Sequence, residues 1–281
     1  MSEKTITIQA PAKINLSLKV LGKRSDGYHE VETRITRVKG LADTLEFKES
    51  AHFSFHCDTA GVPEDESNLV VKATRIFEKI SKRKCVAELR LFKKIPHGAG
   101  LGGGSSDAAA CLKAWNQWHD NVLSDKELLA AAAELGSDVP FFLGSDTARC
   151  TGRGERIEPL DNPKHCPLVI FKPAFGVSTA DAYARVHAAY ELPGVSYAPV
   201  VFPWGELVNE LEKPVFGKFV FLAELKNFLT SRPEVRAAMM SGSGSAMFAV
   251  LADAADGETL IQTVRDRLDP LLWACSAEIG A

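Results

Sequence analysis

Between Pro96 and Asp107 the chain reads Pro-His-Gly-Ala-Gly-Leu-Gly-Gly-Gly-Ser-Ser-Asp, with five glycines among the seven residues Gly98 to Gly104. Without Cβ atoms, such a stretch can turn successive N–H groups toward one small volume, which suits an anion. Residues 86–92 before it alternate like a strand. Ala108 to Trp115 after it has a helical composition, with Ser105, Ser106 or Asp107 available as the N-cap. A strand, a glycine loop and a helix N-terminus in succession bring amides and the positive end of the helix dipole to where a phosphate would sit. Gly98-x-Gly100-x-x-Gly103 matches the dinucleotide fingerprint in form, but no acidic residue ends a second strand about 20 positions on; Asp120 and Asp125 flank a helix start instead. Gly98-x-x-x-x-Gly103 also opens like a Walker loop, with Gly104 where the phosphate-gripping Lys belongs. The pattern predicts a phosphate loop of a third kind rather than a flexible linker.

A chain of 281 residues can bury a sizeable core and most naturally makes two domains or one large one. Turn chemistry at Asp161-Asn162-Pro163 predicts a boundary, giving an N-terminal domain over 1–160 and an α+β C-terminal domain over 161–281. The net charge of −3, with no basic block denser than Lys82-Arg83-Lys84, argues against a nucleic-acid partner and leaves small anionic ligands open. Six cysteines without a C-x-x-C pair read as reduced thiols of a cytoplasmic protein rather than a zinc site. Met1 to Ile8 has no apolar core for a leader, and no run is long enough to span a bilayer, so no membrane partner is expected.

Ile14, Leu16, Leu18 and Val20 alternate with Lys13, Asn15, Ser17 and Lys19, which predicts a strand that sets Lys13 and Asn15 side by side. The pair is either solvated or turned toward one ligand. A turn at residues 22–27 leads to a returning strand over 28–35, with Tyr28 and His29 at its mouth, each open to a packing or a binding role. Further strands are predicted at 44–48 and 53–57, then an amphipathic helix capped near Ser67 or Asn68. Ser124-Asp125-Lys126-Glu127 is a capping box opening a helix that Gly136 ends. Asp138 then stands alone in the apolar, Pro-stiffened turn Ser137 to Gly144, as either a helix cap or a reacting group. A hairpin is expected around Gly152-Arg153-Gly154, a buried strand at 167–171, a helix from Thr179 and irregular chain over 192–203. Short helices are expected to fill Trp204 to Met240. The turn Ser241-Gly242-Ser243-Gly244-Ser245, a strand at 246–251, a helix at 257–268 and a strand at 271–277 complete the reading. The second glycine-serine turn either closes over the first loop or is an ordinary connection.

Taken together, Pro11-Ala12-Lys13-Ile14-Asn15-Leu16, the Pro96 to Ser106 loop and Ser241 to Ser245 resemble the three marks of the GHMP kinases, in the right order and over nearly the whole chain. Arg24-x-Asp26-Gly27-Tyr28-His29 and Gly136-x-Asp138-Val139-Pro140-Phe141-Phe142 are similar to signatures of the branch that phosphorylates the 2-hydroxyl of a cytidine-diphosphate-linked methylerythritol in non-mevalonate isoprenoid synthesis. The resemblance implies a two-domain α+β fold with the active site in the cleft between domains. It also implies ATP and Mg²⁺ as cofactors and a small-molecule acceptor, and leaves the metal ligands and oligomeric state unassigned. Asp138 would accept the hydroxyl proton and Lys13 would hold that hydroxyl. Pro96, His97, Gly98, Ala99, Gly100, Leu101, Gly102, Gly103, Gly104, Ser105 and Ser106 would cradle the ATP phosphates, with Ser105 and Ser106 as candidate metal ligands. His29 would read the cytosine edge, Tyr28 and Tyr183 would offer stacking faces, and Asn15 and Thr179 would orient the rest of the acceptor. Glu210 stands where relatives often carry Asp, and residues 190–218 match the pattern poorly.

Three other functions fit parts of the pattern. A sister kinase for mevalonate, homoserine or a sugar would have no nucleobase for Tyr28 and His29 to read. A non-catalytic nucleotide sensor would not need both Lys13 and Asp138. A dinucleotide-dependent oxidoreductase would need the missing acidic residue.

Overall fold

The computed structural model describes residues 4–280. Met1, Ser2 and Glu3, at the head of the stretch read for a leader, lie outside the described residues, as does Ala281. The elements in chain order are β1 (Thr5–Lys23), β2 (His29–Glu49), β3 (Ser54–Cys57), α1 (Leu69–Ser81), β4 (Ala87–Phe92), α2 (Gly103–Trp118), α3 (Asp125–Leu135), α4 (Val139–Leu143), β5 (Thr147–Gly152), β6 (Arg156–Pro159) and β7 (Cys166–Lys172). There follow α5 (Thr179–Arg185), β8 (Val200–Phe202), β9 (Gly205–Asn209), α6 (Glu212–Lys218), α7 (Val220–Thr230), β10 (Val235–Met240), β11 (Met247–Leu251), α8 (Gly257–Arg267) and β12 (Trp273–Ile279). No helix among the described residues is long and apolar enough to cross a membrane.

The residues form two compact units, one taking the chain up to Ala12, Leu41–Ile95 and Gly102–Asp146, the other Lys13–Gly40, Pro96–Leu101 and the chain from Thr147 onward. These units differ from the contiguous segments 1–160 and 161–281 expected from the sequence. The physical reason is that β1 and β2 are long enough to contribute one end to each unit.

In the first unit β4 is the middle of a small sheet. It pairs antiparallel with β2 from Thr44↔Phe92 to Glu49↔Ala87 and parallel with β3 from Ser54↔Glu88 to Cys57↔Leu91. Ala87, Leu89 and Leu91 face inward, as their alternation predicts. Helices α1 to α4 pack together beside it. Asn68 caps α1 by accepting from Val70 N at 2.8 Å, and the Ser124/Glu127 capping box of α3 is present, both as expected. Trp115 of α2 is fully buried. It meets the Phe47 ring edge-on at 5.0 Å, and its indole N–H donates to Thr74 Oγ1 at 2.9 Å. Replacing Trp115 with Ala is expected to destabilise the fold by about 3–5 kcal/mol through the cavity it leaves, as read from urea denaturation; Trp115→Phe should cost much less.

In the second unit the strands run in the order β10-β11-β7-β12-β2-β1-β9-β8, with β5 on β2 and β6 on β5. Most pairs are antiparallel, and β9 joins β1 in parallel at Ser17↔Val208 and Leu18↔Asn209. One apolar cluster, including Val169, Phe171, Phe216, Leu222, Leu225, Met247 and Leu260, fills the space between sheet and helices. The expectation of helices throughout Trp204 to Met240 is corrected here. Residues 205–209 and 235–240 are strands, and only α6 and α7 are helical. Val-Arg-Ala-Ala-Met-Met at β10 carries a helical composition, but pairing with β11 from Val235↔Leu251 to Met240↔Met247 overrides it.

Candidate active site

The glycine loop ends on a helix, one turn earlier than expected. Gly102, with φ +71°, is the N-cap of α2, and Ser105, Ser106 and Asp107 already lie inside the helix. A left-handed glycine can turn the chain into the first helical residue where a serine or aspartate cap would hold it extended. The N-terminus therefore carries no side-chain cap and no acidic residue in its first turn, which leaves its amides to an anion. Ser106 Oγ is buried and has no hydrogen-bond partner among the described residues.

Three charged side chains lie beneath that helix start. Lys93 Nζ bonds Asp107 Oδ2 at 2.7 Å and also Asp43 Oδ2, and Asp43 Oδ1 accepts from Lys94 N at 2.6 Å and Ile95 N at 2.8 Å. Burial pushes the Asp107 carboxyl up to about 7; the Lys93 ammonium opposes the rise and the Asp43 carboxylate adds to it. The two carboxylates together hold the Lys93 ammonium above its ordinary value against the effect of burial.

Asp138 sits at the N-cap position of α4, with Pro140 just behind it, but makes no side-chain cap bond. Its side chain therefore does not cap α4. In the same unit α4 packs on α2.

The segment Pro96 to Leu101 is held within the second unit. Lys13 N donates to Leu101 O at 2.9 Å, Ala246 N to Ala99 O at 3.0 Å and Ser241 Oγ to Gly100 O at 3.0 Å. The Ser241 to Ser245 turn thus lies against the glycine loop rather than serving only as a connection. Asn209 Nδ2 fixes that turn by donating to Met240 O and Gly242 O, each at 2.8 Å. Lys13 and Asn15 are both 4% exposed, which excludes the solvated reading. Lys13 Nζ donates to Asn15 Oδ1 at 2.8 Å, and Asn15 Nδ2 donates to Thr33 Oγ1 at 2.8 Å. His97 is exposed, whereas Ala99 and Leu101 are buried.

His29 stacks on Tyr183 at 5.3 Å between ring centroids and lies 5.9 Å from the His187 ring. Tyr28 is 56% exposed, its backbone N–H donates to Asp26 Oδ1, and the Arg153 guanidinium sits 4.8 Å over its ring. Thr179 Oγ1 meets Ser243 Oγ at 2.8 Å, placing it beside the glycine-serine turn. Sequence reasoning missed Arg153, His187, Asn209 and the group Asp43, Lys93 and Asp107. Only Arg153, between two glycines at a hairpin tip, carried a local signal.

Burial, with His187 and Lys23 nearby, holds the His29 imidazole below its ordinary value. The unfolded chain therefore binds more protons than the folded one as pH falls through the ordinary histidine value of about 6.5. Stability should fall across that window and level off below the folded-state value. His29→Gln should make this loss shallower in urea denaturation between pH 7.5 and pH 5.

Residues 68–145 match the family model described as GHMP kinases N terminal domain. A solved structure described as 4-(cytidine 5'-diphospho)-2C-methyl-D-erythritol kinase superposes with a TM-score of 0.78 at 32% identity, covering 98% of this chain and 100% of that one. Fold and loop together define a GHMP kinase. The 4-diphosphocytidyl-2-C-methyl-D-erythritol kinase of Protochlamydia amoebophila is 39% identical over 249 residues, 88% of this chain and 84% of that protein. Its counterpart in Methylacidiphilum infernorum is 38% identical over 285 residues, 96% of this chain and 95% of that protein. The chain belongs to the family of 4-diphosphocytidyl-2-C-methyl-D-erythritol kinases.

Proposed function

We propose that this protein, acting in the cytoplasm, transfers the γ-phosphoryl group of ATP to the 2-hydroxyl of 4-diphosphocytidyl-2-C-methyl-D-erythritol in the methylerythritol phosphate route to isoprenoids. Its family membership across nearly the whole chain carries this reading. Phosphoryl transfer asks for in-line positioning and for charge spread over the phosphoryl oxygens to be matched by donors, more than for covalent help. The amides of the Pro96 to Ser106 loop supply donors of that kind. Lys13, buried and bonded to Asn15, would hold the acceptor hydroxyl, and Asp138 would take its proton. Asn15 and Thr179 would orient the acceptor, His29 would read the cytosine edge, and Tyr28 and Tyr183 would offer flat faces to it.

Mg²⁺ fits this residue set as a companion of ATP rather than as a protein-caged ion. Among the described residues no group of three or more His, Cys, Asp or Glu could hold a metal. Magnesium on a nucleotide keeps most of its shell from phosphates and water and takes only one or two protein oxygens. Ser106 Oγ, buried and unpaired, and Ser105 are the hydroxyls at hand. When bound, the ion would neutralise phosphate charge. A coupled assay with ATP and the cytidylated substrate tests the reading, together with competition by cytidine 5′-diphosphate. Turnover with competition is the expected result. Turnover of mevalonate or homoserine without competition would overturn it.

A further inference from the structure

Glycine loops that bind phosphate must be held open against their own flexibility, because a floppy loop loses entropy when a ligand orders it. Here both ends of the loop are tied to one buried charged group. Asp43, fully buried on β2, accepts from the N–H groups of Lys94 and Ile95, the last two residues before Pro96. Its other oxygen meets Lys93 Nζ, which reaches on to Asp107 in the second turn of α2. The ammonium also lies directly under the first helical residue: a Cβ on Gly103 would stand 3.2 Å from Lys93 Nζ and 3.1 Å from Ile95 Cγ2. Entry and exit of the loop are therefore fixed to each other by one cation between two carboxylates.

We propose that Asp43 and Lys93 are positioning residues for nucleotide binding, setting the spacing between the end of β4 and the first turn of α2 so that the amides of the helix start are aimed before the phosphates arrive. A purely packing role would be served as well by apolar side chains of similar volume, since a buried ion pair is weak support for stability by itself. What apolar groups could not do is take two consecutive backbone N–H groups at one end of the loop and orient Asp107 at the other. The inference rests on the proposed ATP-dependent reading of the loop, and it predicts an effect confined to the nucleotide.

The test compares wild type, Lys93→Met and Asp43→Asn as full-length chains, with the affinities for Mg²⁺·AMP-PNP and for cytidine 5′-diphosphate measured by calorimetry and folding checked by thermal unfolding. Lys93→Met is expected to weaken AMP-PNP binding about 10- to 100-fold and to leave cytidine 5′-diphosphate binding within about twofold. Should Lys93→Met not fold, Asp43→Asn carries the test: it removes one charge, keeps an oxygen for the two N–H groups, and should weaken AMP-PNP binding by at least about threefold. A folded variant with unchanged AMP-PNP affinity would overturn the inference, as would parallel loss of both ligands or a wild type that binds no AMP-PNP. Turnover of the cytidylated substrate by the wild type is scored separately, so the proposed reaction can fail while nucleotide positioning stands, and the reverse.

Discussion

Asp138→Asn should lower kcat by about 10²- to 10⁴-fold, the range a positioned general base supplies, while the affinities for ATP and for the cytidylated acceptor change little. The substitution keeps size and shape and removes only the capacity to take a proton. Asp138 makes no side-chain cap bond at the start of α4, so the substitution breaks no cap there. Thermal unfolding should therefore be close to that of wild type, and single-turnover measurements should place the loss in the chemical step. A variant that turns over within about tenfold of wild type would remove Asp138 from the role of base.

Gly100→Ala should reduce kcat/KM by about 100-fold or more. Gly100 has φ +74°, and a Cβ there would stand 2.2 Å from Ser241 O and 3.2 Å from Gly244 N. Both obstacles are backbone, so relief requires the loop and the glycine-serine turn to move apart. That movement would break the bond from Ser241 Oγ to Gly100 O and disturb the neighbouring bonds from Ala246 N to Ala99 O and from Lys13 N to Leu101 O. Gly98→Ala is the matched control. It too has a positive φ, +61°, but its Cβ would meet nothing within 4 Å, so only the left-handed backbone penalty of about 1–2 kcal/mol applies. Steady-state kinetics with ATP varied should show a large loss for Gly100→Ala and a small one for Gly98→Ala. Equal losses in the two variants would mean that strain, not the contact with the turn, sets the loop.

How much of this could be read from the amino acids alone depends on how local each signal is. The glycine run, the capping box at Ser124 and the Asn68 cap are local, and each appears where expected. The helix start moved to Gly102 because a glycine N-cap leaves no polar side chain to mark it. Alternation along β1 set Lys13 and Asn15 side by side, but it cannot reveal that the polar face is covered too. Strand β10 was hidden because its residues favour a helix and its pairing partner lies beyond a turn. Asp43 lies on β2, Lys93 in the connection just past β4 and Asp107 on α2, so no short window of the chain contains the group they form. The roles proposed for Lys13 and Asp138 rest on family resemblance, since neither periodicity nor spacing distinguishes a base from a cap.

The place of β1 and β2 in the larger unit has a bearing on how that unit comes apart. Within residues 13–40, β1 lies beside β2 and pairs with β9 at Ser17↔Val208 and Leu18↔Asn209, while β2 pairs with β5 from Val31↔Gly152 to Thr36↔Thr147 and with β12 at Lys39↔Glu278. Strands hydrogen-bonded on both sides open only in the larger, more costly fluctuations of a fold. Amide hydrogen exchange in this segment should accordingly be among the slowest in the unit, since freeing it would strip partners from three other strands at once.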